Sequence, residues 1–312
     1  MPCTEGPYIW DKSEHHSEGI GSTFQLRKYS FITAHLLNAK WIGMLTNSHN
    51  SHKKDLSSNF GLSYPECDEH TLWRIELLKS HNFIYVNKSI LAASSWRQTV
   101  SNLTRFTDIL NTTVIVYPNG VQTLDQQHNY EVFDERFRKR FHRQRVQREN
   151  PVRNLGEYWI TIHFRWGDTA SNTDSPENVI TDRGGLSFFD FCLCIEVILK
   201  IDPNIKIFVF AENYKHPETC SHLRLKNVIF SNESTSWEKD LDIMSQSQLL
   251  IGGLSSFFVL GAHLCESCDV IHCSTLKFAK SDHEKILPPH LREYYCNYDL
   301  KCYLQHIERI LR

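Results

Sequence analysis

From Tyr158 to His272 the chain alternates short apolar runs, rich in β-forming residues, with segments long enough for a helix. Few folds accommodate that alternation. Tyr158–Phe164, Ile205–Phe210, Val228–Phe230, Leu249–Ile251 and Val270–His272 read as strands, the last of them closing the series. Leu186–Ile201, opened by Gly184-Gly185 and stopped before Pro203, reads as a long helix, with Trp237–Ser247 and Ser255–Leu264 as further helices. Strands joined by crossover helices run parallel, so this half of the chain is expected to form a Rossmann-like sheet. Leu300–Leu311, behind Pro288-Pro289, reads as a closing helix.

The first half is less regular. Glu18-Gly19-Ile20-Gly21 makes a tight turn, Ser22 or Thr23 can cap the next segment, and Phe24, Phe31, Ala34 and Leu37 recur at helical spacing. Lys40–Leu45 reads as the next strand, and Asn82–Val86 and Thr113–Tyr117 as two more. A glycine turn, a helix and a strand are the start of an α/β domain. Phe133–Arg148 reads as a helix in which Phe133, Phe137 and Phe141 form one apolar stripe and seven residues are Lys or Arg. Its basic face either meets water or receives an anionic partner. Asn150-Pro-Val-Arg-Asn-Leu-Gly156 reads as a linker, which divides the chain into residues 1–150 and 151–312.

With 312 residues, 41% apolar and 22% charged, two ordinary domains can each bury a core. A formal net charge of −2 argues for neither nucleic acid nor a membrane surface as partner. No apolar run approaches the roughly 20 residues that span a bilayer. The start, Met1-Pro-Cys-Thr-Glu-Gly-Pro, lacks the basic region and apolar core of a signal peptide. The chain is therefore expected in the cytoplasm, or in the Golgi lumen if a targeting segment has been removed. Four Asn-x-Ser/Thr sequons, at Asn87, Asn102, Asn111 and Asn232, permit a secretory route. Ten cysteines include Cys265-x-x-Cys268, but five residues separate Cys296 from Cys302, which is not a usual zinc spacing, and no metal site is expected.

The chemistry concentrates where apolar runs end. Tyr158-Trp-Ile-Thr-Ile-His163-Phe-Arg165-Trp-Gly-Asp168 passes abruptly from β-formers to a His, an Arg, a Gly and an Asp. Ile205–Phe210 ends in Ala211-Glu212-Asn213, and Leu249–Ile251 ends in Gly252-Gly253-Leu-Ser255-Ser256. In a parallel sheet these ends share one edge, where open α/β sheets bind ligands. Ser255-Ser256 at a helix start offers hydroxyls, amides and the positive end of the helix dipole to an anion. Arg165 can grip a phosphate through two parallel hydrogen bonds. Ser255 can equally serve as an ordinary N-cap.

These segments resemble the α1,2-, α1,6- and protein-O-fucosyltransferase superfamily. His163-Phe-Arg165-Trp-Gly-Asp168 is similar to its His-x-Arg-Arg-x-Asp motif. Asp240-Leu-Asp242-Ile-Met-Ser245 through Ser255-Ser256-Phe257 is similar to its last donor motif. Gly19-Ile-Gly21 resembles the N-terminal Gly-rich turn, and Phe208–Asn213 the strand that ends in two acidic residues. The four matches occur in family order across about residues 18–264. The family's second motif Arg is Trp166 here, and of its two acidic positions only Glu212 is acidic.

The resemblance implies a GT-B-type α/β fold, two Rossmann-like domains facing a central cleft. It implies an N-terminal acceptor-side domain and a C-terminal domain that binds the nucleotide sugar. It implies GDP-fucose as donor substrate, a glycan acceptor, and no metal or other cofactor. Donor contacts would come from Gly19, Gly21, His163, Arg165, Asp240, Ser255, Ser256 and the Phe257 amide. Arg165 would hold the diphosphate and assist its departure, His163 would touch the nucleoside, and Asp240 would accept from the guanine edge. Asp174, Glu177 and Asp182 are the candidate general bases. The expected activity is inverting transfer of L-fucose to a glycan hydroxyl. The alternatives are the same fold with another nucleotide sugar, and a non-catalytic glycan- or polyanion-binding protein that uses the basic helix.

Overall fold

The computed structural model describes residues 7–11, 34, 37–43, 82–85, 101–104, 113–117, 138–139, 142, 158–164, 187–211, 220–231, 237–253, 255–272, 290–296 and 299–312. The chain forms two compact units, Met1–Arg148 and Glu149–Arg312. Each has its own parallel sheet, so the chain is α/β with two parallel-sheet units in succession.

The first sheet contains β1 (Tyr8–Asp11), β2 (Lys40–Gly43), β3 (Asn82–Tyr85) and β4 (Thr113–Tyr117), in the order β2-β1-β4-β3. Every pairing is parallel. Consecutive residues of the two inner strands, Tyr8 with Ile9 and Val114 with Ile115, are all buried. Neighbours along a strand point to opposite faces, so both faces of this sheet are covered. The entry to β2 is a built turn. Asn38 is left-handed with φ 50°, and the Ala39 N–H donates to Ala34 O at 2.7 Å. That is a Schellman motif with Asn in place of the usual glycine. The next amide, Lys40 N–H, donates to Pro7 O at 2.8 Å, which starts β2 beside β1. Strand β1 is absent from the sequence expectation. Its four residues carry too short an apolar pattern to stand out, yet it lies at the centre of its sheet.

The second unit contains β5 (Trp159–His163), α1 (Phe188–Ile201), β6 (Lys206–Phe210), a 3-10 turn (Ser221–Arg224) and β7 (Val228–Ser231). There follow α2 (Trp237–Met244), β8 (Leu249–Gly252), α3 (Ser256–Leu264), β9 (Asp269–His272), β10 (Arg292–Tyr295) and α4 (Leu300–Leu311). The sheet order is β10-β9-β8-β5-β6-β7, parallel throughout. From β5 the chain steps one way to β6 and β7, then returns to the far side of β5 and steps the other way. Right-handed crossovers put α1 on one face of such a sheet and α2 and α3 on the other. Helix α4 packs on α1, and α2 on α3, in keeping with that rule.

Local sequence accounts for these elements. Helix α1 starts at a capping box, in which Ser187 Oγ accepts from the Asp190 amide and the Asp190 carboxylate accepts from the Ser187 amide. Its Phe188, Phe191, Ile195 and Ile198 recur at helical spacing and are buried against Ile160, Ile162, Ile207 and Ile251 of the sheet. Helix α4 adds Tyr303 and Ile307, one turn apart, to the same core.

Strand β10 corrects the expectation that β9 is the last strand. Arg-Glu-Tyr-Tyr carries no apolar run because, among the described residues, it pairs on one side only, with Arg292 and Tyr295 exposed at the sheet edge. Its charges are used: Arg292 Nη2 donates to buried Asp269 Oδ2 at 2.7 Å.

Gly252 ends β8 under the ring of Phe258. A Cβ there would come within 2.6 Å of the ring's Cδ2, and Phe258 is itself fully buried. Gly252→Ala should therefore lower the unfolding free energy by about 1–3 kcal/mol, the usual cost of overpacking a core. A urea titration that shows a lower midpoint with an unchanged slope checks this. An unchanged midpoint would mean that α3 moves aside freely.

Candidate functional site

The reversal of chain direction in the second sheet falls between β5 and β8. In open α/β sheets the ligand crevice lies outside the carboxyl ends of the strands at such a switch point. The residues that end these two strands are His163 and Gly252, and they are partners in register. The pairing of β5 with β6 runs one residue further, with Phe164 N–H donating to Phe210 O at 2.8 Å.

His163 is buried, and its ring lies 5.9 Å from that of Phe257 and 6.1 Å from that of Phe258. The first turn of α3 is thereby packed against the end of β5. Ser255 is buried, extended at φ −133° and ψ 132°, and takes the N-cap position of α3; its carbonyl accepts the Val259 N–H at 2.9 Å. Its side chain, however, makes no capping hydrogen bond. Helices α1 and α4 differ, because Ser187 and Asp299 cap them through their side chains. The first turn of α3 also has no acidic residue. Its leading amides and the positive end of its dipole thus face the switch point without an N-cap acceptor, an arrangement suited to an anion. Of the two sequence readings for Ser255, the ordinary side-chain cap is the one the structure does not show.

Two further groups stand at the same edge. Asp240 is half-buried in the first half of α2, the half that follows the carboxyl end of β7. Tyr303, fully buried on α4, donates its hydroxyl to Gly252 O at 2.8 Å, so the end of β8 is held from both faces of the sheet. Nothing local in the sequence marks Tyr303; its role comes from where α4 docks.

Of the residues singled out from sequence, His163, Ser255 and Phe257 come together at the switch point. Ser256 supplies the first residue of α3, and Asp240 lies one element before β8. Arg165 follows the last described residue of its segment by one position and lies outside the described residues, as do Gly19, Gly21, Asp168, Asp174, Glu177, Asp182 and Glu212. In the Cys265-x-x-Cys268 pair both residues are buried; the Cys265 thiol donates to Met244 O at 3.2 Å, and burial pushes the Cys268 thiol well up. This pair behaves as core packing.

His272 ends β9 on the same edge. Its Nε2 lies 2.8 Å from Glu293 Oε1 of β10, with both side chains almost wholly buried. In the sequence it sits inside an apolar run, which is what a buried, partnered strand residue looks like.

No protein-family model and no curated protein matches the chain. Among solved structures it is similar to the Escherichia coli heptosyltransferase WaaC with ADP, at 13% identity over 97% of this chain and 98% of that one, with a TM-score of 0.48. It is also similar to E. coli ADP-heptose lps heptosyltransferase II, at 10% identity over 97% and 98%, TM-score 0.43. A third is UDP-GlcNAc 2-epimerase from Methanocaldococcus jannaschii, at 12% identity over 98% and 92%, TM-score 0.44. At such identities and scores the likenesses assign no activity, and function has to be read from this chain's own residues.

His272→Ala should lower stability by at least about 1–3 kcal/mol, because it strands a buried carboxylate. Replacing His272 and Glu293 together by apolar residues should cost less than the single change. Denaturant unfolding of both variants decides it; equal losses would show that the pair is not coupled.

Proposed function

We propose that the protein is a nucleotide-sugar-dependent glycosyltransferase that moves L-fucose from GDP-fucose to a glycan hydroxyl with inversion. One observation carries this reading. The switch point of the second sheet lies between His163 and the start of α3, which lacks a side-chain cap, and these are the strand ends whose sequences resemble the two fucosyltransferase donor motifs.

On this reading the diphosphate sits at the start of α3, against the amides of Ser256 and Phe257 and the positive end of the helix dipole. Asp240 accepts from the guanine edge, and His163 lies on the nucleoside side. Arg165, two residues beyond His163, grips the diphosphate from the β5 side. The acceptor oxygen attacks the anomeric carbon as the bond from that carbon to the phosphate oxygen breaks. GDP departs with the bonding electrons, and a carboxylate, Asp174 or Glu177 with Asp182 as third candidate, takes the hydroxyl proton. Negative charge grows on the diphosphate during this step. Preorganised donors aimed at growing charge lower the barrier most, so Arg165 and the α3 amides supply the electrostatic part of catalysis and no metal is needed for it.

GDP and GDP-fucose should stabilise the protein in the presence of EDTA, by about 2.7 kcal/mol at 100 times the dissociation constant. A thermal shift with UDP-sugars and none with guanine nucleotides would reassign the donor. No shift with any nucleotide would favour the binding-protein alternative.

Arg165→Lys should lower kcat roughly a hundred- to a thousandfold, equivalent to about 2.7–4 kcal/mol, because a point charge on a flexible stem cannot reproduce a planar bidentate grip. Donor affinity should change less if the grip tightens as the bond breaks. Near-normal turnover in a folded variant would remove Arg165 from the chemistry.

A further inference from the structure

We propose that Cys296, Cys302 and His306 form a zinc site that fastens the C-terminal helix α4 to the edge strand β10. The two sulfurs and a ring nitrogen of His306 all lie within 4.8 Å of one another. Tetrahedral zinc, with bonds of about 2.3 Å to sulfur and 2.0–2.1 Å to nitrogen, requires separations of roughly 3.6–3.8 Å. The three groups therefore need to close by about 1.2 Å at most, a shift within reach of side-chain rotation.

Cys302 and His306 are four residues apart on α4, so they project from one face of the helix a turn apart. Cys296 comes from a different element, directly after β10, and its amide donates to His272 O at 2.8 Å. One donor is thus fixed by the sheet and two by the helix. The donors are also oriented. The Cys302 thiol points at Tyr295 O, 3.7 Å away, the carbonyl next to Cys296. The His306 ring packs on Tyr294 of β10 at 4.8 Å between centroids. Cys296 is fully buried, whereas Cys302 and His306 are half-buried, so water can reach a fourth position.

Two other fates are open to such a cluster. Cys296 and Cys302 can oxidise to a disulfide, and all three side chains can simply pack. A disulfide gives His306 no part, and packing alone does not require an imidazole nitrogen to converge on two sulfurs. Two soft thiolates and an imidazole select zinc over hard cations such as magnesium or calcium.

A metal here acts on structure. It joins α4 to β10, and the residue after Cys302 is Tyr303, whose hydroxyl holds the Gly252 carbonyl at the end of β8. Strand β10 lies two strands from β8, so the site is a lateral brace for the switch-point edge. It takes no part in the transfer proposed above and does not depend on it.

The test uses the full chain, with Zn2+ and Co2+ as probes. The wild type should bind one Zn2+ that raises the melting temperature. Co2+ at this site should give thiolate-to-metal charge transfer and the visible bands of tetrahedral cobalt. Cys302→Ser and His306→Ala, both at half-buried positions, should weaken Zn2+ binding by more than about a hundredfold, because loss of even an outer partner of a ligand reaches that size. Each variant's fold is checked by circular dichroism. Cobalt bands that persist unchanged in folded His306→Ala would place the metal on other cysteines and overturn the proposal. So would the absence of cobalt bands in the wild type, or a Cys296–Cys302 disulfide found by mass spectrometry in protein purified under reducing conditions.

Discussion

The parallel pairing of β5 with β8 is the contact on which the second unit depends. Both strands are buried along their whole length, and every other strand of that sheet is added outward from them. Their junction also marks the point where the chain reverses its direction across the sheet, so the crevice at their carboxyl ends belongs to the topology itself. What fits into that crevice is decided by a second contact. Phe258 lies so close to the end of β8 that a Cβ at position 252 would force a shift, and the approach draws the first turn of α3 up to His163. A helix start pressed against a strand end, with its N-cap hydroxyl not used as a cap, is a concentrated positive potential in a dry setting.

The closing helix α4 is more than a lid on the core. It fills the face of the sheet shared with α1 and reaches through Tyr303 to the β8 carbonyl beneath the candidate site. Its other edge meets β10, which among the described residues pairs only with β9 and carries charged and tyrosyl residues instead of an apolar run. Such an edge gains little from burial. It is held by specific pairs, Arg292 with Asp269 and His272 with Glu293, and by the contacts of Cys302 with the Tyr295 carbonyl and of His306 with the Tyr294 ring. The region that supports the switch point is therefore fastened by polar and sulfur chemistry where the hydrophobic core runs out.

The sequence alone determined the elements that are buried on both faces or strongly periodic. The runs at β5, β6 and β8, the long helix behind Gly184-Gly185 and the helix at Leu300–Leu311 carry their own signals, because burial on two faces demands continuous apolar residues and a helix packed on one face repeats its apolar positions. It also marked His163 and Ser255, since polar residues that abruptly end such runs are a local pattern, whereas Phe257 was named only through the family resemblance. Tertiary structure decided the rest. Strand β1 is too short to announce itself and β10 is too polar, and each is a strand because a neighbour offers it a ladder of hydrogen bonds. Which strands are adjacent, and hence where the sheet reverses, cannot be read from strands that look alike in sequence. Whether Ser255 caps its helix, why a side chain at position 252 meets Phe258, and how Cys296 meets a cysteine and a histidine one turn apart on α4 are all consequences of packing between segments distant in the chain. Those contacts exist only once the chain has closed around its core.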